Sequence, residues 1–141
     1  MPAWVPWLPA CVAGVAVAAV WGLRRRATRA RRPCRGDIWW ADIPYADGSG
    51  SKVRPCLVLR RGLRGVTVLK ITSQDKSRRR DHVTIPTRSW DPHARHDSYL
   101  NLGELFTVAS DAFQRRAGAC DPEVMREVRR KPWKRASTTG R

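Results

Sequence analysis

Short apolar runs, interrupted every few residues by Gly, Pro, Asp or Ser, make up most of the chain from Arg35 onwards. Runs of this length between turn-forming residues are typical of β-strands. They predict four strands and a segment that supplies at least one more, at residues 37–43, 54–59, 66–71, 81–85 and 99–108. Because an open sheet would leave unpaired edges, we expect these strands to close into a small antiparallel barrel.

A short helix is predicted near the C-terminus. Asp121 is a favourable N-cap, Pro122 suits the first helical position, and Glu123 lies where the helix dipole favours an acid. The apolar stripe that would pack on the barrel consists of Val124, Met125 and Val128. The helix should end before Pro132.

The first 23 residues contain no charged side chain, and residues 24–35 then carry seven arginines. As a helix, residues 3–23 would be about 31 Å long, which matches the hydrocarbon core of a bilayer. Arginines beside a membrane span stay on the cytoplasmic side. We therefore expect a single-pass membrane protein with a cytoplasmic C-terminal domain. A signal peptide, a buried soluble helix and a misassigned start codon are the alternatives.

The predicted organisation therefore has four parts. Residues 1–23 form a transmembrane anchor, 24–34 a basic juxtamembrane linker, 35–131 the folded domain and 132–141 a basic tail. A net charge of +16, from 28 Lys and Arg against 12 Asp and Glu, favours a polyanionic partner such as nucleic acid or an anionic membrane.

The cysteines and histidines give no sign of a metal site or a disulfide framework. The four cysteines show no CxxC pair and no regular spacing, which argues against a zinc ribbon. His93 and His96 are three residues apart but have no third ligand nearby in the sequence. Cys56 is expected in the core, and His82 on a strand is expected to be structural.

Three motifs follow one another at the predicted strands: RGDIWWAD at residues 35–42, GS at 48–49 with RPCLVL at 54–59, and ITSQ at 71–74. In this order they resemble the MazF/PemK toxin family over roughly residues 35–130. The resemblance implies an SH3-like barrel, usually a homodimer, and a ribonuclease toxin that a partner antitoxin neutralises. It implies no metal or other cofactor.

The resemblance also assigns the site. The family's catalytic Arg corresponds to Arg54 and its catalytic Thr to Thr72, and the implied products are a 2′,3′-cyclic phosphate and a 5′-OH. Arg54 suits a phosphate because a guanidinium forms paired hydrogen bonds to its oxygens. A Thr hydroxyl accepts protons poorly, so Thr72 is assigned a positioning role. The residues predicted to bind RNA are Lys52, Ser73, Gln74, Lys76, Arg78, Arg79 and Arg80.

Aromatic side chains add candidate stacking platforms for bases. They are Trp39, Trp40, Trp90 and Tyr45. Since Trp39 and Trp40 point to opposite faces of one strand, one of them is expected in the core.

The first loop departs from the family pattern, which leaves other functions open. Many family members have an acid and a Gln after the Gly-Ser pair, whereas this chain continues with Gly50, Ser51 and Lys52. The proton donor to the leaving oxygen is therefore unidentified. One alternative is a non-catalytic module that binds RNA, DNA or a partner protein. Another is a gyrase poison, because the CcdB toxins share this kind of barrel.

Overall fold

The computed structural model describes residues 32–131, and the structural statements below concern that part of the chain. It contains six strands and one helix. The strands are β1 (Asp37–Pro44), β2 (Ser51–Gly62), β3 (Gly65–Thr72), β4 (His82–Ile85), β5 (Ser98–Val108) and β6 (Phe113–Ala119), and the helix is α1 (Pro122–Arg130). A 3₁₀ turn at Ser110–Ala112 precedes β6. The first four predicted strands are confirmed, and residues 99–108 lie in one continuous strand.

All strand pairs are antiparallel, in the spatial order β4-β5-β3-β2-β1-β6. The antiparallel, mainly β prediction is therefore confirmed. Within residues 32–131 no ladder joins the end strands β4 and β6, so hydrogen bonding does not close the sheet. The prediction that barrel closure removes both edges is wrong in this respect, because the sequence pattern identifies strands and not which strands pair.

The sequence analysis missed β6. This strand reads FQRRAGA, and its central residues Gln114, Arg115 and Arg116 are all exposed. The strands are predicted from short apolar runs, and β6 has no such run because Gln114, Arg115 and Arg116 interrupt it. It is a strand because β1 supplies its hydrogen-bond partners, with Asp37 opposite Ala119.

Both faces of the sheet are buried. Along β2, Cys56 and Val58 pack in one apolar cluster, whereas Leu57 and Leu59 pack in the other. This separation follows from the two-residue period of a strand. Burial raises the pKa of the Cys56 thiol to about 12, and this cysteine is a core residue as predicted.

The C-terminal helix forms where the sequence predicts it. The Asp121 carboxylate accepts a hydrogen bond from the Glu123 backbone N–H at 2.7 Å, which caps the helix. Val124 and Val128 are buried in the cluster that contains Leu57, and Met125 packs against it. The helix therefore covers one face of the sheet.

No helix within residues 32–131 is long and apolar enough to cross a bilayer. The predicted anchor at residues 1–23, nearly all of the basic linker and the tail at 132–141 lie outside the described residues.

Candidate functional site

A cavity of about 350 Å³ lies where β2 and β3 approach the loop between β4 and β5. Four strands and the connection between β4 and β5 supply its walls. The lining residues are Trp40 from β1, Lys52, Arg54 and Pro55 from β2, Ile71 to Gln74 at the end of β3, and Trp90, Asp91 and Ser98 from the β4–β5 connection and the start of β5. Five of the nine predicted site residues therefore share one cavity: Lys52, Arg54, Thr72, Ser73 and Gln74.

The strand register explains why Arg54 and Thr72 converge. The ladder between β2 and β3 pairs Cys56 with Lys70. That ladder ends at this pair, and Arg54 and Thr72 each lie two residues beyond it on their own strand. Both side chains are half-buried and both line the cavity. Two residues that are 18 positions apart in the sequence are thus neighbours on adjacent strands.

The Thr72 hydroxyl has a defined hydrogen-bonding role. The backbone N–H of Gln74 donates to its Oγ1 at 3.2 Å. Since this bond uses one acceptor position of the oxygen, the hydroxyl proton is left to be donated to another group. The arrangement suits a donor to an anionic oxygen better than a proton acceptor.

The Arg54 guanidinium forms no ion pair within the part of the chain that the structure describes. Among residues 32–131, no carboxylate lies within ion-pair distance of Arg54 or Lys52. The guanidinium carbon lies 6.0 Å from the centre of the Tyr45 ring, at the outer range of a cation–π contact. This wall of the cavity is therefore positively charged and suited to an anion.

The opposite wall comes from residues 86–97, which connect β4 and β5. The Trp90 indole N–H donates to the Pro86 carbonyl at 2.8 Å, and the ring is buried. A Cβ at Gly118 on β6 would lie only 2.8 Å from the Trp90 Cβ, so a glycine there permits the loop to pack closely. The sequence analysis missed Asp91, because no motif distinguishes this loop acid from any other.

The four remaining predicted site residues lie elsewhere. Lys76, Arg78, Arg79 and Arg80 belong to the connection between β3 and β4, called the Lys76–Arg80 loop below, and none of them lines the cavity. Arg79 forms two hydrogen bonds to the Asp81 carboxylate, at 2.9 and 3.0 Å. These bonds hold the pKa of Asp81 well below its usual range. The assignment of Lys76, Arg78, Arg79 and Arg80 to RNA binding stays a prediction.

The aromatic candidates separate as the strand alternation requires. Trp39 is buried and packs edge-to-face on Phe113, with ring centres 5.9 Å apart, whereas Trp40 is half-buried and lines the cavity. The prediction that one of the pair belongs to the core is confirmed. Trp90 is also buried, and Tyr45 is exposed in the first loop.

Two histidines occupy defined positions. His82 has a side chain that is 6% exposed and contacts the Asp81 carboxylate at 2.7 Å, which is a structural role as predicted. The Nε2 of His96 lies 3.1 Å from the Ser73 carbonyl. Because a carbonyl oxygen only accepts, Nε2 donates in this bond. Among residues 32–131, no three His, Cys, Asp or Glu side chains are grouped in a way that could hold a metal ion.

Comparisons with known proteins were made for sequence and for fold. A family model described as "PemK-like, MazF-like toxin of type II toxin-antitoxin system" matches residues 34–131. No curated protein sequence matches the chain significantly. Among the solved structures that match is an endoribonuclease in complex with its cognate antitoxin from mycobacterial species, with a TM-score of 0.47 and 19% sequence identity. The match covers 73% of this chain and 98% of that one.

Proposed function

This chain belongs to the PemK-like, MazF-like toxin family of type II toxin–antitoxin systems, and we propose that it is an endoribonuclease that cleaves single-stranded RNA without a metal ion. The observation that supports the proposal most is the convergence of Arg54 and Thr72 in one cavity. A half-buried guanidinium that forms no ion pair among residues 32–131, in one cavity with a hydroxyl that can donate, suits the charge of a phosphate.

The proposed reaction uses a nucleophile that RNA already contains. The 2′-oxygen attacks the adjacent phosphorus, the P–O2′ bond forms, and the P–O5′ bond breaks. The products are a 2′,3′-cyclic phosphate and a 5′-hydroxyl. The 2′-hydroxyl proton passes to solvent, and the leaving oxygen takes a proton from solvent, so the reaction balances. The protein has to align the 2′-oxygen with the phosphorus and stabilise the charge that develops on the phosphoryl oxygens.

Arg54 and Thr72 are the residues that we assign to these tasks. Arg54 donates a pair of hydrogen bonds to the phosphoryl oxygens, and these bonds strengthen as negative charge accumulates. Thr72 donates its hydroxyl proton to the same phosphate, while the Gln74 N–H fixes the position of its oxygen. Lys52, Ser73 and Gln74 bind the RNA on either side of this centre.

The proposal extends to partners and location. As a type II toxin, the protein is expected to be neutralised by a cognate antitoxin and to function as a homodimer. Residues 3–23 are proposed to tether it to a membrane with the nuclease domain in the cytoplasm. Flotation of the full chain with liposomes tests the tether, and Val17→Arg, which places a charge in the middle of the apolar stretch, should abolish flotation.

The nuclease proposal is tested with the full chain and a long single-stranded RNA in EDTA. We expect cleavage with 5′-hydroxyl and cyclic-phosphate ends. Arg54→Ala should lower kcat/KM by about 10²–10³-fold, the usual effect of removing one donor that stabilises a developing oxyanion. Arg60→Ala is the matched control, because Arg60 is an exposed arginine on the same strand that does not line the cavity.

The same assay separates the other functions. RNA that stays intact with a folded wild-type chain contradicts the nuclease proposal. Salt-sensitive nucleic-acid binding without cleavage would instead support a binding module. A parallel DNA-supercoiling assay detects a gyrase poison.

A further inference from the structure

One acidic side chain lines a cavity whose other charged residues are Lys52 and Arg54. Asp91 contributes this carboxylate from the loop between β4 and β5. Among residues 32–131, no Lys, Arg or His side chain forms an ion pair with it. The Asp91 carboxylate repels the phosphates that Lys52 and Arg54 attract, so we expect it to bind a different part of the RNA.

The backbone holds Asp91 in a fixed position. Its N–H donates to the Thr87 carbonyl at 2.8 Å, and its own carbonyl accepts from the Ala94 N–H at 3.1 Å. The carboxylate Oδ1 accepts from the His93 N–H at 3.2 Å. Within the described residues, Oδ2 has no hydrogen-bond partner. A rigidly held carboxylate with one unoccupied oxygen and spare capacity on the other suits the recognition of a donor group on a ligand.

The chemistry of a carboxylate restricts what it can recognise in RNA. An ionised carboxylate only accepts hydrogen bonds, so it binds the donor groups of bases or riboses and excludes phosphates. In single-stranded RNA the Watson–Crick edges are free to be read by side chains. Guanine presents two adjacent donors there, N1–H and the N2 amine, which match the two oxygens of a carboxylate. Adenine and cytosine place one amine beside an acceptor nitrogen, and uracil has a single N–H between two carbonyls.

The rest of the cavity fits a base next to this carboxylate. Its volume of about 350 Å³ lies within the range of small-ligand pockets. The half-buried Trp40 ring lines it as well, and the Arg115 guanidinium lies 5.5 Å from the centre of that ring. An aromatic wall and a carboxylate together provide a stacking surface and an edge contact.

We propose that Asp91 is a specificity residue that binds the Watson–Crick edge of a guanine adjoining the scissile phosphate held by Arg54 and Thr72. This inference rests on the proposed nuclease function. It gives the enzyme a substrate class, namely single-stranded RNA with guanine at a fixed position beside the cleaved bond.

The experiment first maps the cut sites of the full chain on a long RNA of mixed sequence, and then uses short RNAs that contain one site. At that site the guanine is replaced by adenine, inosine or 7-deazaguanine. Adenine should lower kcat/KM by about tenfold or more, the usual discrimination of a bidentate base contact. Inosine, which lacks only the N2 amine, should lower it less. 7-Deazaguanine, which keeps both donors, should be cleaved as well as guanine.

Variants then assign the preference to Asp91. Asp91→Asn should reduce the ratio of guanine to adenine cleavage at least tenfold and should still cut RNA. Asp111→Asn is the control, because it removes the same charge from an exposed acid in the 3₁₀ turn outside the cavity. Its selectivity should equal that of the wild type.

The outcomes distinguish this inference from the nuclease proposal. If the folded wild type cuts no RNA, the proposed function itself fails. If it cuts RNA without a guanine at a fixed position, or if Asp91→Asn keeps the full guanine preference, the nuclease stands and the role of Asp91 is refuted.

Discussion

Two basic regions of this molecule look equivalent in the sequence and differ in the structure. The first is the cavity wall with Lys52 and Arg54, and the second is the Lys76–Arg80 loop. In the cavity wall, β2 carries both residues, and no acid within the described residues forms an ion pair with them. In the loop, Arg79 is bound to Asp81, and Asp75 bonds the Ser77 backbone N–H at 2.9 Å.

A positive charge can therefore act differently in the cavity wall and in the Lys76–Arg80 loop. A cation confined in a cavity acts on one phosphate with fixed geometry, as catalysis requires. A cation on an exposed loop is screened by salt and contributes to binding without selecting an orientation. The predictions below, which rest on the nuclease proposal where they concern activity, run from the largest expected effect to the smallest.

After the loss expected for Arg54→Ala, the next largest effect is expected when Thr72 loses its hydroxyl. Thr72→Val keeps a β-branched side chain in the strand but removes the donor, and we expect kcat to fall about 10–100-fold, because a hydrogen bond to a charged group is worth about 1.5–3 kcal/mol. Thr72→Ser should retain most of the activity. Thr84→Val on the exposed side of β4 is the control and should leave kcat unchanged. Equal falls in kcat for Thr72→Val and Thr84→Val would contradict a specific role of the Thr72 hydroxyl in the cavity.

The planar shape of the guanidinium should also matter at Arg54 in the cavity and not at Arg78 in the Lys76–Arg80 loop. Arg54→Lys keeps the charge but loses the planar pair of donors, so we expect kcat/KM to fall about tenfold. Arg78→Lys should have no effect on kcat/KM. Single-turnover cleavage of one labelled RNA measures both variants. An unchanged rate for Arg54→Lys would show that Arg54 acts through its charge alone.

The cavity should depend on close packing between β6 and residues 86–97, whereas the Lys76–Arg80 loop should not depend on that packing. Gly118→Ala places a Cβ 2.8 Å from the Trp90 Cβ, so the loop that carries Asp91 has to shift. Overpacking of this kind destabilises a protein by about 1–3 kcal/mol. Urea unfolding followed by Trp fluorescence measures the free energy, and Ala119→Ser at an exposed β6 position is the control. Identical unfolding curves for Gly118→Ala and wild type would show that this contact adapts without strain.

Removing cations from the Lys76–Arg80 loop should change binding slightly and kcat not at all. Arg78→Ala should raise KM a few-fold at low salt. If Arg78 contacts a phosphate, the slope of log K against log salt should decrease by about one. Fluorescence anisotropy with a labelled RNA, measured at several salt concentrations, gives this slope. A fall in kcat equal to that of Arg54→Ala would erase the distinction between the two regions.

The smallest effect concerns Asp81, whose carboxylate accepts hydrogen bonds from Arg79 in the Lys76–Arg80 loop. The pKa of Asp81 is lower in the folded chain than its unfolded value of about 3.9, chiefly because of its hydrogen bonds to Arg79. The folded state therefore binds a proton at Asp81 less readily than the unfolded state does. The stability that ionised Asp81 contributes is present at neutral pH and is lost as the pH falls below about 4. Asp81→Asn should make the pH dependence of unfolding shallower between pH 5 and about 2, measured by denaturant titration. A profile identical to the wild type would contradict this role.

Much of the fold could be predicted because its signals are local. Short apolar runs between turn-forming residues predict the strands β1 to β5, and the Asp121 cap predicts the start of the helix. The missed strand β6 has no such signal, because its partner β1 imposes its conformation. The resemblance pointed to Arg54 and Thr72, which share a cavity in the structure, although their roles stay predictions.

The sequence by itself determined five of the six strands, the helix, the excess of positive charge and the family, since residues close together in the chain carry each of these signals. Only the tertiary structure decided that Arg54 and Thr72 line one cavity, that the Lys76–Arg80 loop does not line it, and that Asp91 does. The physical reason is that these placements depend on the register between strands and on the path of the loop over the core. Both are set by packing between residues distant in the chain, and no local pattern encodes them.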